Sequence, residues 1–230
     1  MLVIQEELEN KAFAIQHIED KIAQLEQDLE KNQKDLNELA ALLHGKRQEA
    51  IPVLSNKLIG YLVQLGMPNS QFDIQLIGKE NYLINGKDEL QFLFSANKGS
   101  DFGLLKKVAS GGEMSRIMLA VKAVLSHYSK LPTIIFDEID TGVSGEIANK
   151  MAFIMEEMSA NMQVFSITHL PQIAAKGNQH YKVFKETINN QTHSQIIRLT
   201  QEQRIQELAE MISGKDVSEA AINHAKTLLN

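Results

Sequence analysis

The sequence predicts an α/β protein that carries a coiled-coil helix at its N-terminal end. Apolar residues through 1–43 recur at alternating steps of four and three, while from residue 110 onward helical stretches alternate with short unbroken apolar runs. Between these regions, strand-like runs flank Asn85-Gly86, a tight-turn pair. A 230-residue chain that is 43% hydrophobic and 23% charged can bury a sizeable core, which excludes a disordered or collagen-like chain. With no cysteine, disulfides, thiolate metal sites and cysteine nucleophiles are excluded. No apolar run approaches the roughly 20 residues that span a bilayer, and the acidic start (Gln5, Glu6, Glu7) is not a signal peptide. The expected compartment is therefore the cytoplasm, with no membrane partner. A net charge of −6 argues against indiscriminate coating of nucleic acid and leaves room for a local basic patch.

The arm comes first. Its seam runs Ile4, Leu8, Lys11, Ile15, Ile18, Ile22, Leu25, Leu29, Asn32, Leu36, Leu39, Leu43, and no Pro or Gly interrupts until Gly45. A two-residue stripe repeating over nearly six heptads is the pattern of a coiled coil, and polar Lys11 and Asn32 within it are of the kind that fixes register. Residues 1–50 carry six basic and eleven acidic side chains, against 17 and 18 in the rest, so the excess acidity lies in the arm. The chain offers no second heptad segment, so the partner helix belongs to another molecule or to a further part of a longer protein. We place the arm at residues 1–48 and a globular lobe at 49–230.

In the lobe, Gly45 and Pro52 mark the exit from the arm, and a short helix is expected near Ala50–Leu65, stopped by Gly66 and Pro68. The runs Phe72–Ile77, Tyr82–Ile84 and Leu90–Ser95 predict a small antiparallel sheet. A helix over Gly112–His127, a strand at Thr133–Phe136, a helix over Gly145–Ser159 and a strand at Gln163–Thr168 follow. Apolar strands without alternation, separated by helices, predict a parallel sheet covered on both faces. Strand-like stretches near Tyr181–Glu186 and Ser194–Leu199 and two amphipathic helices, Glu202–Ile212 and Val217–Leu229, complete the chain.

Four places carry candidate chemistry. Ser110-Gly111-Gly112-Glu113 opens a helix. Ser110 with Glu113 three residues on is a capping box; the same geometry also offers a hydroxyl, free amides and the positive end of the helix dipole to an anion. The strand Thr133–Phe136 ends in Asp137-Glu138, at the sheet edge where open α/β folds bind ligands. These acids form either a solvated strand end or a phosphate-cleaving pair, in which Asp137 holds Mg²⁺ and Glu138 deprotonates the attacking water. The loop Asp140-Thr141-Gly142-Val143-Ser144-Gly145 follows directly, and His169 ends the neighbouring apolar strand, within reach of the same phosphate.

Taken in order and spacing, these elements resemble the signature motif, Walker B strand, D-loop and H-loop of an ABC-type ATPase, with Glu113 and Ile139 where transporter ATPases usually have Gln and Pro. A coiled coil feeding the lobe from its N-terminal side makes the chain similar to an SMC-type head. The segments Phe92–Asn97, Lys107–Arg116, Phe136–Gly145 and Thr168–Ala174 resemble the RecN family of bacterial DNA double-strand-break repair proteins. The resemblance implies the C-terminal lobe of an ABC/SMC-type P-loop ATPase head, a parallel sheet with flanking helices plus a small antiparallel sheet. It implies ATP and Mg²⁺ as cofactors. Ser110, Gly111, Gly112 and Glu113 are then nucleotide-binding, Asp137 a metal ligand, Glu138 and His169 catalytic, and Asp140, Thr141 and Gly142 the D-loop. It also implies DNA recombination and repair as the process, association with the nucleoid, and three partners: the N-terminal lobe of the same protein, a second head in a homodimer, and DNA.

No Gly-x-x-x-x-Gly-Lys-Ser/Thr occurs; the Gly-Lys pairs at 45–46, 78–79, 86–87 and 214–215 all fail its pattern. RecN-like proteins carry that loop in an N-terminal lobe, so the chain is expected to be a C-terminal half that alone binds ATP poorly and does not turn it over. Lys106, Lys107, Arg116, Lys122 and Lys130 are candidates for DNA contact. Competing readings are another SMC- or Rad50-like head, or a coiled-coil interaction protein with relic motifs.

Overall fold

In the computed structural model, residues 2–129, 131–143, 145–188 and 191–230 are described, with side chains other than those of residues 2–3, 5–12, 14–15, 106, 108 and 188. The seam side chains of Leu8, Lys11 and Ile15, the side chain of Lys106, and Lys130 and Ser144 lie outside this set. The chain forms two compact units: Met1–Pro52 with Gln75–Gln91, and Val53–Ile74 with Phe92–Asn230.

A single helix, α1 (Leu2–Gln64), runs through the expected exit at Gly45 and carries Pro52 inside it. The separate helix expected near Ala50–Leu65 is therefore its continuation. A proline in a helix interior costs roughly 3 kcal/mol. Downstream, Leu58, Leu62 and Leu65 are fully buried, and at about 1.5–3 kcal/mol each their burial outweighs that cost. The helix ends as the residues announce. Gly66 takes φ +77, Met67 N–H bonds Leu62 O at 2.8 Å and Gly66 N–H bonds Val63 O at 3.2 Å, a Schellman closure.

The first unit pairs the arm with the outer part of a hairpin built from β1 (Gln71–Leu83) and β2 (Gly86–Ser95). The expected runs 72–77 and 82–84 merge into one strand. Pairing with β2 carries the polar middle of β1, where Lys79 meets Glu89 across the hairpin at 2.5 Å. Arg47 donates to Asp88 Oδ2 at 3.0 Å and to the Asn85 carbonyl at 2.6 Å, while His44 Nδ1 lies 2.7 Å from Asp88 Oδ1. Asn37 Oδ1 accepts from Tyr82 and Lys87 at 2.7 and 3.0 Å. Residues 37, 44 and 47 face roughly a quarter turn away from the heptad seam. That seam stays open: Leu25, Leu29 and Leu39 are 58%, 69% and 62% exposed.

In the second unit, β3 (Gly103–Leu104) adds antiparallel to β2, and a short helix α2 (Leu105–Val108) leads to α3 (Gly111–Ser126). Strand β4 (Thr133–Asp137) runs parallel to β5 (Gln163–Ile167), in register from Thr133↔Gln163 to Asp137↔Ile167, with α4 (Gly145–Ser159) between them in sequence. Ile117, Ala120 and Val124 of α3 and Met151, Met155 and Met158 of α4 enter one core with Phe136, against which Ile134 and Val164 pack. The opposite face of the parallel pair is bare, contrary to the expectation of cover on both faces. Ile135, Phe165 and Ile167 there are 64%, 45% and 55% exposed, because among the described residues the core formed with α3 and α4 takes the other side, that of Phe136, Ile134 and Val164.

The final layer comprises α5 (Pro171–Lys176), the antiparallel hairpin of β6 (Tyr181–Ile188) and β7 (Gln191–Arg198), α6 (Gln201–Ser213) and α7 (Glu219–Leu229). It has its own small core of Ala175, Leu208, Ala209, Ala221 and Ala225.

Candidate active site

Helix α3 begins at a complete capping box. Ser110 N–H and Oγ–H donate to Glu113 Oε2 at 2.8 and 2.9 Å, and Glu113 N–H donates to Ser110 Oγ at 3.4 Å. The Ser110 backbone bond, followed by its hydroxyl and the nearby Arg116 guanidinium, holds the Glu113 carboxyl below the usual carboxylate range. Glu113 is thereby committed to shaping the loop. Gly111 faces open space, and a Cβ on Gly112 would stand 3.7 Å from the Thr141 carbonyl. The start of α3 thus lies against the loop that follows β4. Arg116 donates to the carbonyls of Gly112 and Leu65, each at 3.2 Å, tying this turn to the end of α1.

Asp137 is the last residue of β4, and Glu138 follows it with φ +46, the sole non-glycine residue in the left-handed region among those described. That conformation is fixed from both sides. Glu138 N–H continues the ladder to Ile167 O at 3.0 Å, and its carbonyl accepts from Thr141 N–H at 3.3 Å and Thr141 Oγ at 2.8 Å. Both carboxylates are exposed at the strand edge. Register sets Ile167 opposite Asp137, so His169, two residues on, projects at the same edge with a 62% exposed side chain. Asp140 is the exception in this group, at 1% exposed, and accepts a hydrogen bond from the Thr168 hydroxyl. Thr141 and Gly142 complete the turn, Gly142 with φ +75. Segments 110–113, 137–142 and 168–169, distant in sequence, converge on one edge. Sequence reasoning did not single out Thr168, whose role shows only through its contact with Asp140.

Relatives of known identity bear on this arrangement. The DNA repair protein RecN of Halalkalibacterium halodurans is 37% identical over 227 residues, covering 97% of this chain and 40% of that protein. Those of Treponema pallidum and Deinococcus radiodurans are each 37% identical, over 96% and 89% of this chain. The chain belongs to the RecN family. It spans 40%, 41% and 36% of the length of these three relatives, so it corresponds to part of a RecN protein. No protein-family model matches it. Among solved structures, the Smc head domain with a coiled coil and joint from Pyrococcus yayanosii superposes with TM-score 0.55 at 19% identity, covering 72% of this chain and 30% of that one. The Pyrococcus furiosus Smc head with an extended coiled coil, bound to the C-terminal domain of ScpA, gives 0.51 at 20% identity, covering 72% and 39%. The fold of this RecN-family chain is that of an SMC-type head, and no helix among its described residues is long and apolar enough to cross a membrane.

Whether the edge suits Mg²⁺ follows from its donors. No group of three or more His, Asp or Glu among the described residues is placed to hold a metal alone. Mg²⁺ bound with a nucleotide takes one or two carboxylates and completes its shell with phosphate oxygens and water, so the exposed Asp137 fits that role.

Proposed function

We propose that this chain supplies the signature, Walker B, D-loop and H-loop half of an ATP-dependent, SMC-like machine for DNA double-strand-break repair. The observation that carries the reading is the convergence of Ser110-Gly111-Gly112, Asp137-Glu138 and His169 on one sheet edge, in a RecN-family chain with an SMC-head fold. When bound, ATP with Mg²⁺ supplies the reactive phosphoryl group and the charge that neutralises it.

The residues divide the remaining work. Asp137 holds the metal. Glu138, pinned in its left-handed turn, aims a carboxylate outward as the base that takes a proton from the attacking water. Ser110, Gly111 and Gly112 present donors at a helix N-terminus to the γ-phosphate of a nucleotide held by a second head, with Glu113 keeping that turn in shape. Two heads therefore close on ATP as a homodimer and part on hydrolysis, while the arms tether DNA. The bare face of Ile135, Phe165 and Ile167 accepts the N-terminal lobe of the same protein, which brings the phosphate loop.

Purified alone, the chain is expected to show no ATP turnover above background, and mixing it with the N-terminal lobe to restore it. In the reconstituted protein, Glu138→Gln retains ATP binding, slows hydrolysis by roughly 10²–10⁴-fold and accumulates engaged dimers, whereas Asp137→Asn weakens Mg²⁺-dependent binding. Robust hydrolysis by the chain alone, or identical behaviour of the two variants, would sink this assignment.

A further inference from the structure

We propose that Asp140 and Thr168 are positioning residues for His169, holding the imidazole with its proton on Nδ1 and turning Nε2 toward the phosphate edge. The proposal rests on the functional reading above for what Nε2 faces, and on the following geometry for everything else.

The Asp140 carboxylate is almost wholly buried, at 1% exposed, yet it lies in a loop beside exposed carboxylates. Burying an ionised carboxylate is costly unless its oxygens are hydrogen-bonded. One oxygen is provided for: Thr168 Oγ–H donates to Oδ2, and the orientation of that hydroxyl is fixed because the Thr168 oxygen accepts from Leu170 N–H at 3.0 Å. The other oxygen, Oδ1, is buried without a hydrogen-bond partner among the described residues. Among the described residues, the basic side chain within 4 Å of it is His169, whose Nδ1 stands 3.9 Å away. That is too long for a hydrogen bond, and a small turn of the imidazole, whose side chain is 62% exposed, closes it.

The chemistry then fixes the proton. An ionised carboxylate only accepts, so the ring nitrogen that meets Oδ1 must carry hydrogen. Nδ1–H stays on Asp140 whether the ring is neutral or protonated, and all exchange of protons with the site takes place at Nε2. This is the arrangement by which a carboxylate selects a histidine tautomer and orientation. Thr168 acts one step further out: without its hydroxyl, Oδ2 loses its donor and the carboxylate is free to rotate away from the ring.

The test uses the 230-residue chain with ¹⁵N-labelled histidine, the His169 resonances being assigned from a His169→Gln spectrum. In the neutral ring, the wild-type chain is expected to show the Nδ1–H tautomer. Thr168→Val, which keeps the side chain's shape and removes the hydroxyl, and Asp140→Asn, which offers an amide in place of the carboxylate, should both move it toward Nε2–H. Thr168→Ser should restore the wild-type spectrum, a rescue that a merely structural role would not produce. In the reconstituted ATPase, Thr168→Val is expected to lower kcat by about 10–100-fold with KM for ATP unchanged, the range seen when outer-shell partners are lost. An Nε2–H tautomer in the wild-type chain overturns the proposal, and this measurement stands even if Asp140 variants fail to fold. An unchanged kcat in Thr168→Val overturns the role in hydrolysis. Absence of any ATPase activity on reconstitution defeats the functional reading instead, leaving the tautomer assignment standing on its own data.

Discussion

A glutamate held at φ +46 is an unusual use of a residue, since a side chain in the left-handed region costs of order 1–2 kcal/mol. At Glu138 that cost is met by three backbone and hydroxyl bonds that leave the peptide no alternative. The strain predicts a trade between stability and chemistry. Glu138→Asn, which tolerates the left-handed region, should stabilise the chain by about 0.5–1 kcal/mol in urea unfolding, while Glu138→Ala should not. The same Asn variant should abolish turnover in the reconstituted ATPase. If Asn unfolds no later than wild type, the turn is not strained in solution. At this scale the sequence was informative where chemistry ties residue type to position: Asp137-Glu138 after an apolar strand, Ser110 with Glu113 at a helix start. It was silent on Thr168 and on the contact that Thr168 makes with Asp140. They lie 28 residues apart and meet only because the β4–β5 register sets Asp137 beside Ile167. No local pattern encodes that meeting.

Elements obey local rules until packing outweighs them. Gly66 ended α1 as glycine in a Schellman turn does, but Pro52 did not break the helix, because three leucines beyond it gain more from burial than the proline loses. Nor did spacing announce that the β1–β2 hairpin would fasten to the arm through Asp88. That carboxyl is held below the usual range, first by its bond with His44 and then by Arg47, against the opposing effect of its burial. Its contribution to stability is therefore present above the ordinary carboxylate pKa and disappears as pH falls through its lowered value. Asp88→Asn should cost about 1–3 kcal/mol at neutral pH, with faster amide exchange at 79–89, and should flatten the acid side of the stability profile. A profile as steep as wild type would mean that the His44–Asp88–Arg47 cluster contributes nothing on folding.

At the scale of the whole molecule, the sequence conveyed the fold class and the motif order but not which faces remain open. Strands such as Thr133–Phe136 read as apolar on both sides, and periodicity cannot say who covers each side. Here one side meets α3 and α4, and the other exposes Ile135, Phe165 and Ile167. Replacing Ile135 and Phe165 with Lys should leave the melting temperature of the chain nearly unchanged, since these side chains support no core of its own. The double variant should fail to bind the N-terminal lobe by sedimentation and fail to restore ATP turnover with it. Normal complementation would show that the lobe docks elsewhere.

The layer built from α5, α6 and α7 buries four alanines and one leucine, with Ile205, Met211, Ile212 and Ile222 partly buried against them, while the main core buries two phenylalanines, five methionines and nine larger aliphatics. Small side chains let helices approach closely, yet they withdraw little oily surface from water. Less apolar burial means a lower free-energy cost of local opening, so amide exchange is expected to be faster over α6 and α7 than over α3 and α4. Cleavage there would remove the tail of the chain and spare the edge that holds Asp137 and Glu138.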